Sequence, residues 1–575
     1  MSNKTTFIIN SLLTVFLCYN ENSGGIMKDV TMRKGNFLKG ALITTLGIVI
    51  AKILGIIYVI PFHAVIGDEG GALYGYAYTI YTLFVSLASA GIPLAISKLV
   101  SEYQTMGYYR AKKRIFLIGR KIAVLAGFIS FVVILITAPL LAKAVLGDVV
   151  GGNTVKDVTF VIRIIGTAIL IVPTLSIYRG YFEGHRLFSP PSISQVLEQV
   201  LRVLVIVVGS YIAIKVLKLD LTSSVGIALA GATVGASIAY VYLVNKRIKN
   251  KQVFNEKIRV VNEPKISDKV IFKKIVYYAI PFIMIDVFKA LYNYVDMFTV
   301  VKSLVNYAKF SAIDAETIYS MLSTWANKFN MILLAISTGV VVSLIPNLTE
   351  SIVKKEHSQV EKKINQALGI LLYLTVPMTF GISFLAKPIW LLFYGESTYG
   401  PSVLSYYIFV GFFIGLFTSL IIMIQTLKDK KIVLISLVTG VLIKILLNNY
   451  LLRAFYNNGF PPYYGVITAS IIGYLVSSII CLVVLRKKYK INFEEIVNNF
   501  INIMCSAFLM IFILFICKLF IPITSTNRIM NLVIILVYTV IGALVYFVYN
   551  HFSKLTSKVF GRDIFKILNK LFFRK

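Results

Sequence analysis

Apolar residues along this chain gather into long runs separated by short polar and basic segments, with little of the alternation that marks a half-buried strand. A helix needs about 20 apolar residues to cross the hydrocarbon core of a bilayer. Runs of that length occupy residues 37–60, 72–97, 122–142, 158–178, 193–213, 225–244, 275–301, 321–345, 364–386, 403–424, 432–452, 464–485, 500–521 and 529–549. They predict an all-α polytopic membrane protein with fourteen transmembrane helices. Composition points the same way: 58% of residues are hydrophobic, 14% are charged, and the mean hydropathy is +0.81. An ordinary soluble domain is far more polar than that.

The net charge of +33, from 58 Lys and Arg against 25 Asp and Glu, would by itself suit a nucleic-acid binder. The positions of the cations exclude that reading. They concentrate on alternate loops, in clusters at 110–114, 246–251, 486–490 and 554–575. The positive-inside rule then predicts cytoplasmic termini in a plasma membrane and assigns these clusters to topology and anionic lipids. Cys18, Cys481, Cys505 and Cys517 fall in apolar stretches without paired spacing, so neither a disulfide framework nor a metal site is expected. The short apolar stretch 7–18 is too brief to span, and the basic pair Arg33-Lys34 follows Met27 and Met32, so residues 1–26 are expected to precede the true start.

The two sets of six runs show weak ordered similarity. Leu141-Ala142-Lys143 before Gly147-Asp148 matches Leu385-Ala386-Lys387 before Gly395-Glu396, and the sixth and twelfth runs both open near a glycine, Gly226 and Gly465. Parallel repeats are predicted: an N-lobe over 37–245, a basic linker over 246–274 and a C-lobe over 275–485. A basic loop at 486–499 leads to two extra helices over 500–549 and a basic tail over 550–575, while 1–36 forms an N-terminal segment. The two extra helices either face lipid or wall a groove for a lipid tail.

Against this apolar background, Lys52, Arg202, Lys289 and Lys444 stand inside runs. A cation at bilayer depth costs about 2.5–3.5 kcal/mol or more, so four of them predict a shared cleft that takes an anion. The repeat places Arg202 opposite Lys444 and, less well, Lys52 opposite Lys289. Arg163 and Lys328 lie nearer run ends, where either snorkelling or the cleft accounts for them. Glu198 and Arg202 are spaced to pair on one helix face, as are Asp286 and Lys289. Asp296 has no in-register cation on its own run, which makes it a candidate ion-coupling carboxylate or a partner for Lys52. Arg179, Glu183 and Arg186 are expected in a short loop between the fourth and fifth runs, where they either meet an incoming anionic head group or set topology. No phosphate-binding loop for ATP and no acid/base or nucleophile constellation is present. A transporter without cofactor, driven by the membrane potential or a monovalent cation, is therefore expected rather than an enzyme. A cluster of Lys and Arg suits a diphosphate, and a polyprenyl-diphosphate sugar is the membrane substrate that carries one.

Several stretches resemble the MurJ/YtgP and SpoVB branch of the multidrug/oligosaccharidyl-lipid/polysaccharide exporter superfamily. They are Ala51-Lys52-Ile53-Leu54-Gly55, Gly70-Gly71-Ala72-Leu73-Tyr74, Ile96-Ser97-Lys98-Leu99-Val100-Ser101, Arg179-Gly180-Tyr181-Phe182-Glu183-Gly184, the run from Ser194 to Arg202, Leu291-Tyr292-Asn293-Tyr294-Val295-Asp296 and Ser343-Leu344-Ile345-Pro346-Asn347. The resemblance extends from about Arg33 to the tail. It implies two six-helix lobes in a V, a cationic cavity, and transfer of lipid II from the inner to the outer leaflet for peptidoglycan synthesis, with wall-synthesis enzymes as further partners. The basic position that such proteins carry before Ile-Leu-Gly falls on Lys52, which keeps the charge and lacks the planar fork of Arg. Competing expectations are a flippase for a teichoic, capsular or spore-cortex precursor, a drug or cation antiporter of the same fold, and a non-transporting scaffold.

Overall fold

The computed structural model describes residues 51, 54–89, 91–147, 149–250, 254 and 263–560. Most of the first expected span, Lys52, Asp148, the proposed start region and the end of the basic tail lie outside them. The described residues form helices and no strand. In order these are α1 (Val59–Ser89), α2 (Ile92–Thr105), α3 (Tyr109–Leu146), α4 (Val155–Gly166), α5 (Val172–Gly184), α6 (Ser189–Leu204), α7 (Leu221–Lys249), α8 (Asp268–Asn306), α9 (Ala312–Ser320) and α10 (Asn327–Val353). Then follow α11 (His357–Phe384), α12 (Ala386–Phe393), α13 (Gly400–Thr426), α14 (Lys430–Asn457), α15 (Pro462–Lys487), α16 (Glu494–Phe520), α17 (Arg528–Phe552) and α18 (Leu555–Phe560). Among the described residues, eleven helical segments are long and apolar enough to cross a membrane, one of them the 52-residue stretch Leu54–Thr105.

Helix boundaries depart from the apolar runs for identifiable reasons. The first two expected helices join through Gly67, whose φ of 64° breaks the helix within α1. The expected helix over 72–97 is divided at Gly91, where φ is +71° and a Cβ would stand 2.6 Å from Phe282 and 2.7 Å from the Ala279 carbonyl. Pro93 then sits in the first turn of α2, where its missing N–H costs nothing. The expected helix over 158–178 becomes α4, a tighter turn over Thr167–Leu170 and α5, restarted at Pro173. Two wide turns, Val205–Gly209 and Ile212–Val216, continue α6 across the apolar layer, and Met321–Trp325 does the same between α9 and α10. Elsewhere the helices outrun the apolar segments until a polar cap stops them. Thr154 and Asp157 form a reciprocal capping box at α4, and Ser267 accepts the N–H of Val270 at α8.

Alternation of these segments gives the bundle two faces. One carries the connections at 105–109, 184–189, 353–357, 426–430 and 487–494, with the described ends 249–250 and 263–268, and is the basic face; the other carries 149–155, 306–312, 393–400 and 457–462. α8 bridges the amino-terminal and carboxy-terminal helices, packing on α14 as well as on α1, α2 and α3. At the basic face Arg114 pairs with Asp268, Lys274 with Glu102 at 3.4 Å, and Glu263 accepts the backbone N–H groups of Arg110 and Ala111 at 2.9 and 2.7 Å. At the opposite face α1 meets the α9–α10 segment in a buried aromatic seam. There His63 packs edge-on against Trp325, and Tyr394 donates to the Trp325 carbonyl at 3.1 Å.

Gly71 is what lets that seam close, since a Cβ there would stand 2.6 Å from the Trp325 indole. Gly71→Ala is expected to destabilise the protein by about 1–3 kcal/mol through overpacking. A drop in the thermal unfolding midpoint checks this, with Gly339→Ala, whose Cβ would meet nothing within 4 Å, as the neutral control.

The last two long helices dock on α11 and α12. Tyr546 donates to the Tyr373 carbonyl at 2.8 Å, and Tyr373 shares a 2.9 Å hydrogen bond with Thr556. Their other faces present Leu519, Phe520, Ile529 and Phe552 outward, as a lipid-facing surface does.

Candidate functional site

Arg202 lies on the face of α6 that turns toward α1 and α10. Its guanidinium pairs with Glu198 one turn earlier. Glu198 also receives Arg179 at 2.8 Å, and Arg179 Nε donates to Ser194 Oγ at 2.9 Å. One carboxylate thus serves two guanidinium groups, and the trio keeps a net positive charge. All three side chains are largely buried. Arg202 Nε is buried with no hydrogen-bond partner among the described residues.

From the α10 side, Lys328 Nζ donates to the Tyr58 hydroxyl at 3.1 Å and stands 5.2 Å from the centre of its ring. Arg202 and Lys328 are within electrostatic reach of each other and of Tyr78, and Arg202 also senses Tyr74 and Tyr81. Tyr74 and Tyr78 stack at 5.6 Å. The site therefore joins two positive charges from helices well separated in the chain, phenolic hydroxyls and a guanidinium donor not yet spent. Such a set is suited to a multiply charged oxyanion.

The tyrosines escaped sequence reading because phenols in an apolar run read as packing. Their spacing at 74, 78 and 81 was the available signal, since it places them along one helical face. Arg179 and Glu183 are not in a loop: α5 continues through Gly184, because Tyr181 and Phe182 bury its last turn, and only exposed Arg186 follows it. Arg179 thereby reaches Glu198. Glu183 is half-buried on the same helix.

Lys444 does not face a shared cleft. It is fully buried and gives its ammonium to Asp296 at 2.6 Å, Ser470 Oγ at 2.6 Å and the Val466 carbonyl at 3.0 Å. The Ser470 and Val466 contacts are hydrogen bonds, and the Asp296 contact is an ion pair. Asp296 is consequently not a lone carboxylate, since Lys444 stands beside it; its expected pairing with Lys52 falls on a residue outside the described ones. Arg163 is exposed on α4, as snorkelling requires. Lys289 is half-buried and attracted by Asp286, which is exposed. Among the described residues no group of three or more His, Cys, Asp or Glu side chains converges as a metal site.

A helical bundle of apolar spans that broken helices interrupt, holding buried cations at mid-depth, defines a multi-pass membrane transporter. Residues 37–352 match the family model described as polysaccharide biosynthesis protein. The chain is 31% identical over 471 residues to "Lipid II flippase MurJ" of Bacillus subtilis (strain 168), covering 80% of this chain and 85% of that protein. It is 27% identical over 350 residues to "Stage V sporulation protein B" of the same organism, covering 59% and 63%. Among solved structures, the fold matches "Lipid II flippase MurJ, inward closed conformation" with a TM-score of 0.66 at 16% identity, over 91% of this chain and 100% of that one. It matches an inward-facing multidrug resistance MATE family transporter of the MOP superfamily with a TM-score of 0.61 at 14% identity, over 78% and 98%. The chain belongs to the polysaccharide biosynthesis protein family, in its MurJ-like branch, and is a multi-pass protein of the bacterial plasma membrane.

Proposed function

We propose that the protein is a lipid II flippase, which carries the undecaprenyl-diphosphate-linked peptidoglycan precursor from the inner to the outer leaflet by alternating access. The observation that carries this reading is the net-positive Arg179–Glu198–Arg202 trio facing Lys328 and its tyrosines, together with the similarity to a flippase over most of the chain. In this reading fourteen helices form two six-helix lobes, the basic face is cytoplasmic, and α16 and α17 flank the path of the polyprenyl tail. The diphosphate exchanges water for Arg202 and Lys328, while the tail stays in lipid.

The two faces are held unequally, which suits such a cycle. The ion pairs at the basic face include exposed groups, worth about 0–1 kcal/mol each, so they part readily to admit substrate. The opposite seam is buried and aromatic. Net positive charge returning toward a negative cytoplasm is favoured by about 2.3 kcal/mol per charge per 100 mV, so the membrane potential resets the empty carrier. With Lys444 occupying the Asp296 carboxylate, this account needs no bound metal cation. A precursor with a different glycan on the same diphosphate would use the same cations, and the 27% identity to a sporulation protein keeps that reading in view.

Expression of this chain in cells depleted of their lipid II flippase is expected to restore growth. Failure of a well-expressed wild type to do so removes lipid II as the substrate.

A further inference from the structure

The seam at the face opposite the basic loops contains a buried carboxylate that the transport site does not use. Glu316, on α9, is 1% exposed. Its Oε2 accepts two donors from one residue of the 149–155 connection: the backbone N–H of Asn153 at 3.0 Å and its Nδ2 at 2.7 Å. Its Oε1 has only the Tyr76 hydroxyl, 3.5 Å away on α1. Gly152 leaves the room, since a Cβ there would stand 2.5 Å from Oε2. Among the described residues Glu316 forms no ion pair.

A buried carboxylate without a cation is costly as an anion. Oε2 is the double acceptor, and the long 3.5 Å contact from the Tyr76 hydroxyl leaves Oε1 room to carry a proton and donate to Tyr76 in its turn. The Asn153 and Tyr76 donors offset part of a negative charge, but burial outweighs them and no cation among the described residues pairs with it. From α1 come Glu69, whose carboxylate repels that of Glu316, Tyr76, and the hydrogen-bonded pair His63 and Asp68. From α8, Lys302 is engaged with the Ala144 carbonyl. On α9 itself are Asp314, bonded to Ser311, and Tyr319, stacked on Tyr76 at 4.5 Å.

We propose that Glu316 is a proton-binding site that latches this seam: protonated, it holds the 149–155 connection and α1 against α9, and it releases its proton to solvent as the seam opens. The proposal deepens the alternating-access reading, and depends on it only for the consequence in transport. Burial raises the Glu316 carboxyl, which precedes the apolar run starting at Met321, from 4.5 to about 7. The sign follows from linkage. A raised value in the closed state means that closure is fully supported below the ordinary carboxyl range and loses that support as pH rises through about 7.

The test uses spin labels on the full-length protein in lipid nanodiscs, with Cys18, Cys481, Cys505 and Cys517 replaced by Ser. Val150→Cys and Ile313→Cys are both exposed and flank the seam where Gly151 approaches Ala312. In wild type a single short distance is expected at about pH 5.5, with a longer population growing toward about pH 8.5 and the closed-to-open ratio falling about tenfold or more. Glu316→Gln, neutral and of the same shape, is expected to stay short throughout, and Glu69→Gln to keep the pH response. A wild-type distance indifferent to pH, or a response that persists in Glu316→Gln, overturns the assignment. A pH response in a protein that does not rescue flippase-depleted cells removes the lipid II reading and leaves the Glu316 site standing.

Discussion

Arg202→Ala is expected to abolish rescue of flippase-depleted cells while the protein still accumulates in the membrane. The change removes the cation that stands nearest to Lys328 and the tyrosines, and it leaves Glu198 paired with Arg179 alone, so the trio falls from net positive to neutral. Losing a desolvated charge-assisted contact to a substrate phosphate costs about 2–5 kcal/mol, or roughly thirty-fold to several thousand-fold in transport. Arg202→Lys keeps the charge but not the planar fork and is expected to fall between the two. Flux of fluorescent lipid II in proteoliposomes, compared at equal protein, checks the order wild type, Lys, Ala. Equal flux in all three removes the cationic site from the mechanism.

Lys444→Met is expected to act on stability instead. It strands Asp296 in the bundle interior without its ammonium, and breaking a buried pair in this way costs about 3–5 kcal/mol. The double variant Lys444→Met with Asp296→Asn removes both charges and is expected to recover most of the loss. Thermal unfolding midpoints of the two single variants and the double variant close the cycle. Single losses that simply add in the double variant show that the pair is not coupled. Lys444 and Arg202 thus look alike as cations in apolar runs and are expected to fail in different ways, one in folding and one in transport.

That divergence marks how far the chain is legible without its structure. The apolar runs located the helical segments, and the Glu198–Arg202 spacing announced the ion pair, because both depend on residues close in sequence. The breaks at Gly67 and Gly91 carried local signals too, one a glycine between two helical stretches and the other a glycine two residues before a proline. The partner of Lys444 was not legible, since Asp296 lies on a helix far away in the chain and only packing of α8 on α14 brings them together. The partner of Lys328 was not legible either, since Tyr58 lies on a segment far away in the chain.

By itself the sequence determined the solvent of this protein, its helical class and the excess of positive charge that its interior must accommodate, because these follow from composition and from period along one chain. Tertiary structure alone decided which cations are spent and which remain available. Lys444 is neutralised by Asp296, Arg163 is exposed, and Arg202 with Lys328 keeps charge in reserve. The reason is physical: the cost of a buried charge is set by the groups within a few ångströms of it, and in a bundle those groups come from helices that sequence distance does not connect.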